Sequence, residues 1–263
     1  MEYALKKNSV KAIIQQGKTA FGMYVAIPSP VIVEIAGQSG MDFIRLDCCH
    51  SPLDQFTIEH MIRAAEARGI LPFVRINHDP QKIVSVLEMG AAGIVVPDLS
   101  TAEEVQDVVN TARFLPLGAR GMYSAPRAAG YGSVHAVEYA NWSNEEVLIG
   151  IQIENARAVE NVEEILSVPG INMVLSGRGD LAQSLGVTGQ KNHPLVLEAE
   201  EKIFNVAKSK GIAISVNLDP TSADFAENVD QWVRKGAQVI TFGVDTALIR
   251  KTFENMMSIA RNQ

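Results

Sequence analysis

Short runs rich in Val, Ile and Phe alternate with longer segments of helical spacing from one end of this 263-residue chain to the other. That alternation constrains the fold more than any other feature. Parallel strands, covered on both faces, read as apolar runs and need a crossover helix between neighbours. The runs predict strands at Phe21–Ile27, Asp42–Asp47, Leu71–Ile76, Gly93–Pro97, Leu148–Glu154, Asn172–Ser176, Ile212–Asn217 and Val239–Phe242.

Between them, Ile58, Met61, Ile62 and Ala65 follow the i, i+3, i+4, i+7 spacing of one buried helix face, as do Val105, Val108, Val109 and Ala112. Thr101 and Glu104 have the spacing of a reciprocal capping box. Further helices are expected around Val162–Leu166 and over Pro194–Lys210, Ser222–Lys235 and Thr246–Ala260, and glycines such as Gly69 and Gly90 stand where a helix must end before a strand. Eight such units favour a closed α/β fold, a single (β/α)8 barrel over residues 1–263 with a short N-terminal helical segment at 1–17. An open doubly wound sheet would leave edge strands, and no G-x-G-x-x-G follows the first strand. The long irregular stretch from Phe114 to Asn144 is expected to be a functional loop.

Composition narrows the partners. Hydrophobic residues make up 47% of the chain and charged residues 20%, with a formal charge of −7. That is enough apolar material for a large core, and the acidic balance argues against nucleic acid. No run is long and apolar enough for a membrane helix, and the N-terminus lacks a secretory pattern. The only cysteines, the adjacent Cys48 and Cys49, offer no disulfide framework, which points to a reducing, cytoplasmic setting.

Chemistry in such barrels gathers at the C-terminal ends of the strands. Asp47 and His50 follow the second strand, Arg75 and His78 the third, Asp98 the fourth; Gln152 and Glu154 share one face of the fifth, and Asp180 follows the sixth. Two carboxylates from adjacent strand ends, completed by water, suit a hard divalent cation, although each can equally cap a helix or turn. Arg75 can stabilise a developing oxyanion or simply pair with Asp47. His50 can act as a proton acceptor near neutral pH or stand as an ordinary surface histidine. His78 reads as a residue at the start of a helix, and Cys49 as a small packing side chain.

Taken in order, several pieces resemble the pyruvate-class aldolases of the HpcH/HpaI family. They are Asp47-Cys48-Cys49-His50, Val74-Arg75, Gly93-Ile94-Val95-Val96-Pro97, Arg120-Gly121, Gln152-Ile153-Glu154, Gly179-Asp180-Leu181 and Gly243-Val244-Asp245. The resemblance implies a barrel of the phosphoenolpyruvate/pyruvate type and a class II aldolase that reversibly cleaves a 4-hydroxy-2-oxo acid into pyruvate and an aldehyde. It implies that Glu154 and Asp180 hold Mg²⁺, Mn²⁺ or Co²⁺, and that Arg75 and Gln152 flank the keto oxygen. Backbone N–H groups around Gly179 and Asp180 receive the substrate carboxylate. His50, oriented by Asp47 or Glu88, serves as the base. It also implies a homo-oligomer, with a hexamer as one candidate. Familiar members carry a glutamate where Cys49 stands, Gly-Pro-x-Asp where this chain has Gly177-Arg178-Gly179-Asp180, and an apolar residue at Asp98; Arg178 is expected to add a cation beside the site. Alternatives are an enolate-forming lyase or decarboxylase acting on oxaloacetate or an acyl-CoA, and a non-catalytic oxyacid-binding barrel.

Overall fold

A computed structural model describes residues 4–261. In chain order its elements are α1 (Ser9–Gln15), β1 (Ala20–Val25), α2 (Pro30–Gln38), β2 (Phe43–Asp47), α3 (Gln55–Arg68), β3 (Leu71–Arg75), α4 (Pro80–Glu88), β4 (Gly93–Val96), α5 (Ala102–Ala112), a 3₁₀ segment (Arg127–Gly132) and α6 (Ala136–Glu146). There follow β5 (Leu148–Ile153), α7 (Ala156–Glu160), α8 (Val162–Ile165), β6 (Met173–Ser176), α9 (Arg178–Ser184), α10 (Pro194–Ser209), β7 (Ala213–Leu218), α11 (Phe225–Arg234), β8 (Val239–Val244) and α12 (Asp245–Arg261). The strands close in sequence order, every neighbouring pair parallel, with β8 beside β1. The architecture is the (β/α)8 barrel that the alternation predicts.

Strand periodicity sorts the side chains. Ile44, Leu46, Val74, Ile94, Ile149, Ile151, Val174 and Ile240 point outward into the main core beneath the helices. The alternate positions Ala20, Phe43, Phe73, Val95, Leu148, Met173, Ala213 and Val239 fill the lower barrel, where α1 closes the bottom with Val10, Ile13 and Ile14. Asn8 caps α1 and ties it to the barrel, its N–H donating to Glu146 and its amide to the carbonyls of Ala92 and Glu146. The helical segment expected at 1–17 is thus α1; its first three residues lie outside the described ones.

The helix signals hold where they are local. Thr101 and Glu104 form the reciprocal capping box, and Gly69 ends α3 in the left-handed conformation, φ 74°. Helix α2, not singled out in the sequence, and α4, whose start His78 marks, each begin with Pro after an N-cap, Ser29 and Asp79. The stretch from Phe114 to Asn144 is not an irregular loop throughout. It contains the 3₁₀ segment and most of α6, which escape periodicity because α6 (AVEYANWSNEE) is rich in poor helix formers and only weakly amphipathic. Phe114, Ala128, Ala129, Val134 and Tyr139 form a satellite core there, and Arg127 reaches Glu66 and the Met89 carbonyl on the barrel flank.

Candidate active site

Five strand ends place the polar residues. Asp47 and Arg75 are register partners at the top of β2 and β3, so their side chains emerge side by side. Arg75 Nε donates to Asp47 Oδ1 at 3.1 Å and Nη2 to Oδ2 at 2.6 Å, a two-pronged pair in which both residues are at least nine-tenths buried. Asp47 Oδ1 also accepts the backbone N–H groups of Cys49 (3.1 Å) and His50 (3.3 Å). One carboxylate therefore fixes the guanidinium and the turn that follows. Burial works against the Arg75 charge, yet hydrogen bonding to Asp47, with the charges of Tyr24 and Asp47, holds its pKa above the usual value. The guanidinium also lies over the Tyr24 ring, 5.1 Å from its centroid.

Across the mouth, Gln152 and Glu154 project from one face of β5, both buried. The Gln152 amide donates to Glu154 Oε2, and the Asp98 N–H donates to Oε1 at 3.1 Å. Asp98 presents that N–H from a left-handed backbone, φ 58°, a strained conformation for a non-glycine residue. Burial and then the nearby charge of Asp180 push the Glu154 carboxyl up to about 7, against the opposing pull of Gln152, Arg75 and the Asp98 N–H. A cation held between Glu154 and Asp180 would relieve that cost of ionising Glu154.

The surroundings fit such an ion. Gly177 lies beside the pair, where a Cβ would clash with Glu154 Oε2 and stand 2.7 Å from Glu154 Cβ and 2.8 Å from Gln152 Nε2, so only glycine leaves the space open. Gln152 Oε1 is buried with no protein partner, an acceptor aimed into the same region. Among the described residues no group of three or more His, Cys, Asp or Glu is arranged around an ion. Two carboxylates completed by water and substrate oxygens are the arrangement a hard cation such as Mg²⁺ takes up beside a substrate.

The other expected residues are placed less uniformly. Gly179 and Asp180 open α9, exposed at the mouth. His50 is exposed on the turn after β2, where Asp47 accepts its backbone N–H while the same carboxylate clamps Arg75. Glu88 ends α4, which runs antiparallel to the strands, so it stands at the opposite end of the barrel from His50 within one chain. Arg178 does not add a cation to the site: it pairs with Glu200 on α10, donates to Asn192 and lies over the Trp232 ring. Cys48 and Cys49 are free, half-buried thiols pushed by burial up to about 12 and about 11, which suits packing rather than nucleophilic attack.

Sequence reasoning missed Arg45, Tyr24, Gly177 and the Asp98 N–H. For Arg45 a signal existed, since it stands two residues before Asp47 on the same strand face.

Residues 20–252 match the profile of the HpcH/HpaI aldolase/citrate lyase family. The chain belongs to that family. A 5-keto-4-deoxy-D-glucarate aldolase of Shigella boydii is 31% identical over 95% of this chain and 95% of its own length. A 2-keto-3-deoxy-L-rhamnonate aldolase of Klebsiella pneumoniae is 31% identical over 98% and 95%. Among solved structures, an HpcH/HpaI aldolase from Desulfitobacterium hafniense superposes with a TM-score of 0.90 at 28% identity, covering 98% of each chain. The citrate synthase SbnG superposes with a TM-score of 0.86 at 28% identity, covering 96% of this chain and 97% of that one.

Proposed function

We propose that this HpcH/HpaI family member is a class II aldolase that reversibly cleaves a 4-hydroxy-2-oxo acid, of the keto-deoxy sugar acid type, into pyruvate and an aldehyde. The observation that carries it is the convergence of Glu154 and Asp180 with Arg75 and Gln152 at one barrel mouth, in a chain whose curated relatives act on keto-deoxy sugar acids. Glu154 and Asp180 would hold a divalent cation, Mg²⁺, Mn²⁺ or Co²⁺, which supplies Lewis-acid stabilisation of negative charge on the substrate's oxygens.

The chain's own residues do the rest. Carbon–carbon cleavage loads charge onto the keto oxygen of the nascent pyruvate, and the Arg75 guanidinium, clamped by Asp47, is preorganised to meet it. Gln152, whose amide is committed to Glu154, keeps that carboxylate in place beside the same oxygen. The exposed N–H groups at the start of α9, around Gly179 and Asp180, receive the substrate carboxylate. His50 takes the proton from the C4 hydroxyl as the aldehyde leaves, and returns a proton in the synthetic direction.

The enzyme works in the cytoplasm, where Cys48 and Cys49 stay reduced. Its partners are the small oxo acid and aldehyde, and further copies of itself. Helix α12 leaves the barrel with Phe253, Met256, Met257 and Ile259 exposed, an apolar face that a homo-oligomer would cover. If Glu88 serves the base at all, it does so from a neighbouring copy. No helix among the described residues is long and apolar enough to cross a membrane.

The test is a coupled assay for pyruvate, supplying 4-hydroxy-2-oxo acids to purified enzyme with Mg²⁺, Mn²⁺ or Co²⁺. Pyruvate should form and chelation should abolish it; full turnover in EDTA by metal-free enzyme would overturn the assignment.

A further inference from the structure

Arg45 is fully buried inside the barrel, directly below the site, and among the described residues no carboxylate lies within ion-pair distance of it. Its acceptors are hydroxyls only: Tyr24 at 3.1 Å, Thr241 at 3.2 Å and Ser215 at 3.3 Å. Its Nε has no partner. Of the other buried arginines, Arg75 pairs with Asp47, whereas Arg113 and Arg120, which also lack a carboxylate, lie outside the barrel strands on backbone carbonyls and in the aromatic cluster after α5. Arg45 alone of the unpaired ones points into the barrel below the site. A buried guanidinium without a counter-ion carries a desolvation cost that a Leu or Met of similar volume would not. Apolar packing alone would not call for a charge at this position.

The geometry relates it to the site. The Tyr24 ring contacts two guanidinium groups, its centroid 4.9 Å from the Arg45 carbon Cζ and 5.1 Å from that of Arg75. Arg45 donates to the Tyr24 hydroxyl, and the Arg75 guanidinium rests over the same ring. In the dry barrel interior an unneutralised charge acts over longer distances than in water, and the oxyacid at the mouth carries the opposite sign.

We propose that Arg45 is a positioning residue for this site, a fixed positive charge that seats Tyr24 beneath Arg75 and strengthens the hold on an anionic oxyacid. The inference rests on the oxyacid reading given above. Oxalate, a dianion with the two adjacent oxygens of an enolised oxo acid, is the probe, titrated calorimetrically into Mg²⁺-loaded protein. Arg45→Met, which keeps the volume and removes the charge, should weaken oxalate binding about tenfold and raise KM for the oxo acid more than it lowers kcat. Its melting temperature should hold or rise. Arg45→Lys should recover binding to within threefold of wild type. Tyr24→Phe, which removes one hydroxyl, should weaken binding at least threefold and carries the test should Arg45→Met not fold. Oxalate binding within threefold of wild type in Arg45→Met, unchanged binding in Tyr24→Phe, or a lysine variant as weak as the methionine one would each overturn the inference. Wild-type protein that ignores oxalate would instead overturn the oxyacid reading.

Discussion

The two ends of the barrel interior are built from the same strands and do opposite work. On β2 the inward positions run Phe43, Arg45, Asp47; on β3 they run Leu71, Phe73, Arg75; on β5 they run Leu148, Gly150, Gln152 and then Glu154. The lower positions are interlocked hydrocarbon, Phe43 and Phe73 meeting edge to face at 5.5 Å. The upper ones are ionic and hydrogen-bonded. Two to four residues along one strand, at about 3.3 Å each, separate packing from chemistry. Stability and reactivity can therefore be perturbed separately, and each experiment below tests that separation.

The largest effect should come from the upper end. Glu154→Ala should lower kcat/KM by about a thousandfold or more and abolish Mn²⁺ binding, while the melting temperature stays within a few degrees of wild type, since Lewis-acid and oxyanion contributions are of that size. A variant that keeps its metal by calorimetry would place the ion elsewhere. At the lower end, Phe73→Ala should cost about 3–5 kcal/mol in denaturant unfolding with activity per folded molecule retained. Loss of activity in folded protein would show that the two ends are coupled.

Arg75→Lys should reduce kcat by about a hundredfold, because an ammonium cannot span both Asp47 oxygens and keep its direction. His50→Gln should slow cleavage by about ten- to a hundredfold while leaving pyruvate affinity unchanged by calorimetry. An unaltered rate would make His50 the surface residue its exposure also allows.

The smallest effect is in the pH dependence of metal-free protein. Glu154 is held up to about 7, against an ordinary value of 4.5. A carboxyl raised in the folded state favours folding most when protonated, so this contribution is full below pH 4.5 and is lost as pH rises toward 7. Chemical denaturation of apo wild type should accordingly lose stability across that interval relative to Glu154→Gln, whose side chain does not titrate. Saturating Mg²⁺ should close the difference.

Much of this could be read from the sequence, and the reasons are local. Buried parallel strands announce themselves as runs such as Ile149-Gly150-Ile151, and capping residues such as Thr101 mark helix starts without reference to the rest of the fold. The strand-end rule then brings Asp47, Arg75, Gln152, Glu154 and Asp180 to one mouth. What could not be read depends on directions set by tertiary structure. Arg178 turns to Glu200 because α10 passes beside it, and Glu88 is carried to the far end by the length of α4. Helix α6 was hidden because its buried Tyr139 and Ser143 face a satellite core rather than the barrel.

Gly177 gives the mouth an unusual vulnerability. A single methyl group there would intrude on Glu154 and the Gln152 amide together, and the carboxylate has little room to retreat while the Asp98 N–H holds its other oxygen. The catalytic apparatus thus depends as much on an omitted atom as on any that are present, and Gly177→Ala would silence the barrel without removing one ionisable group.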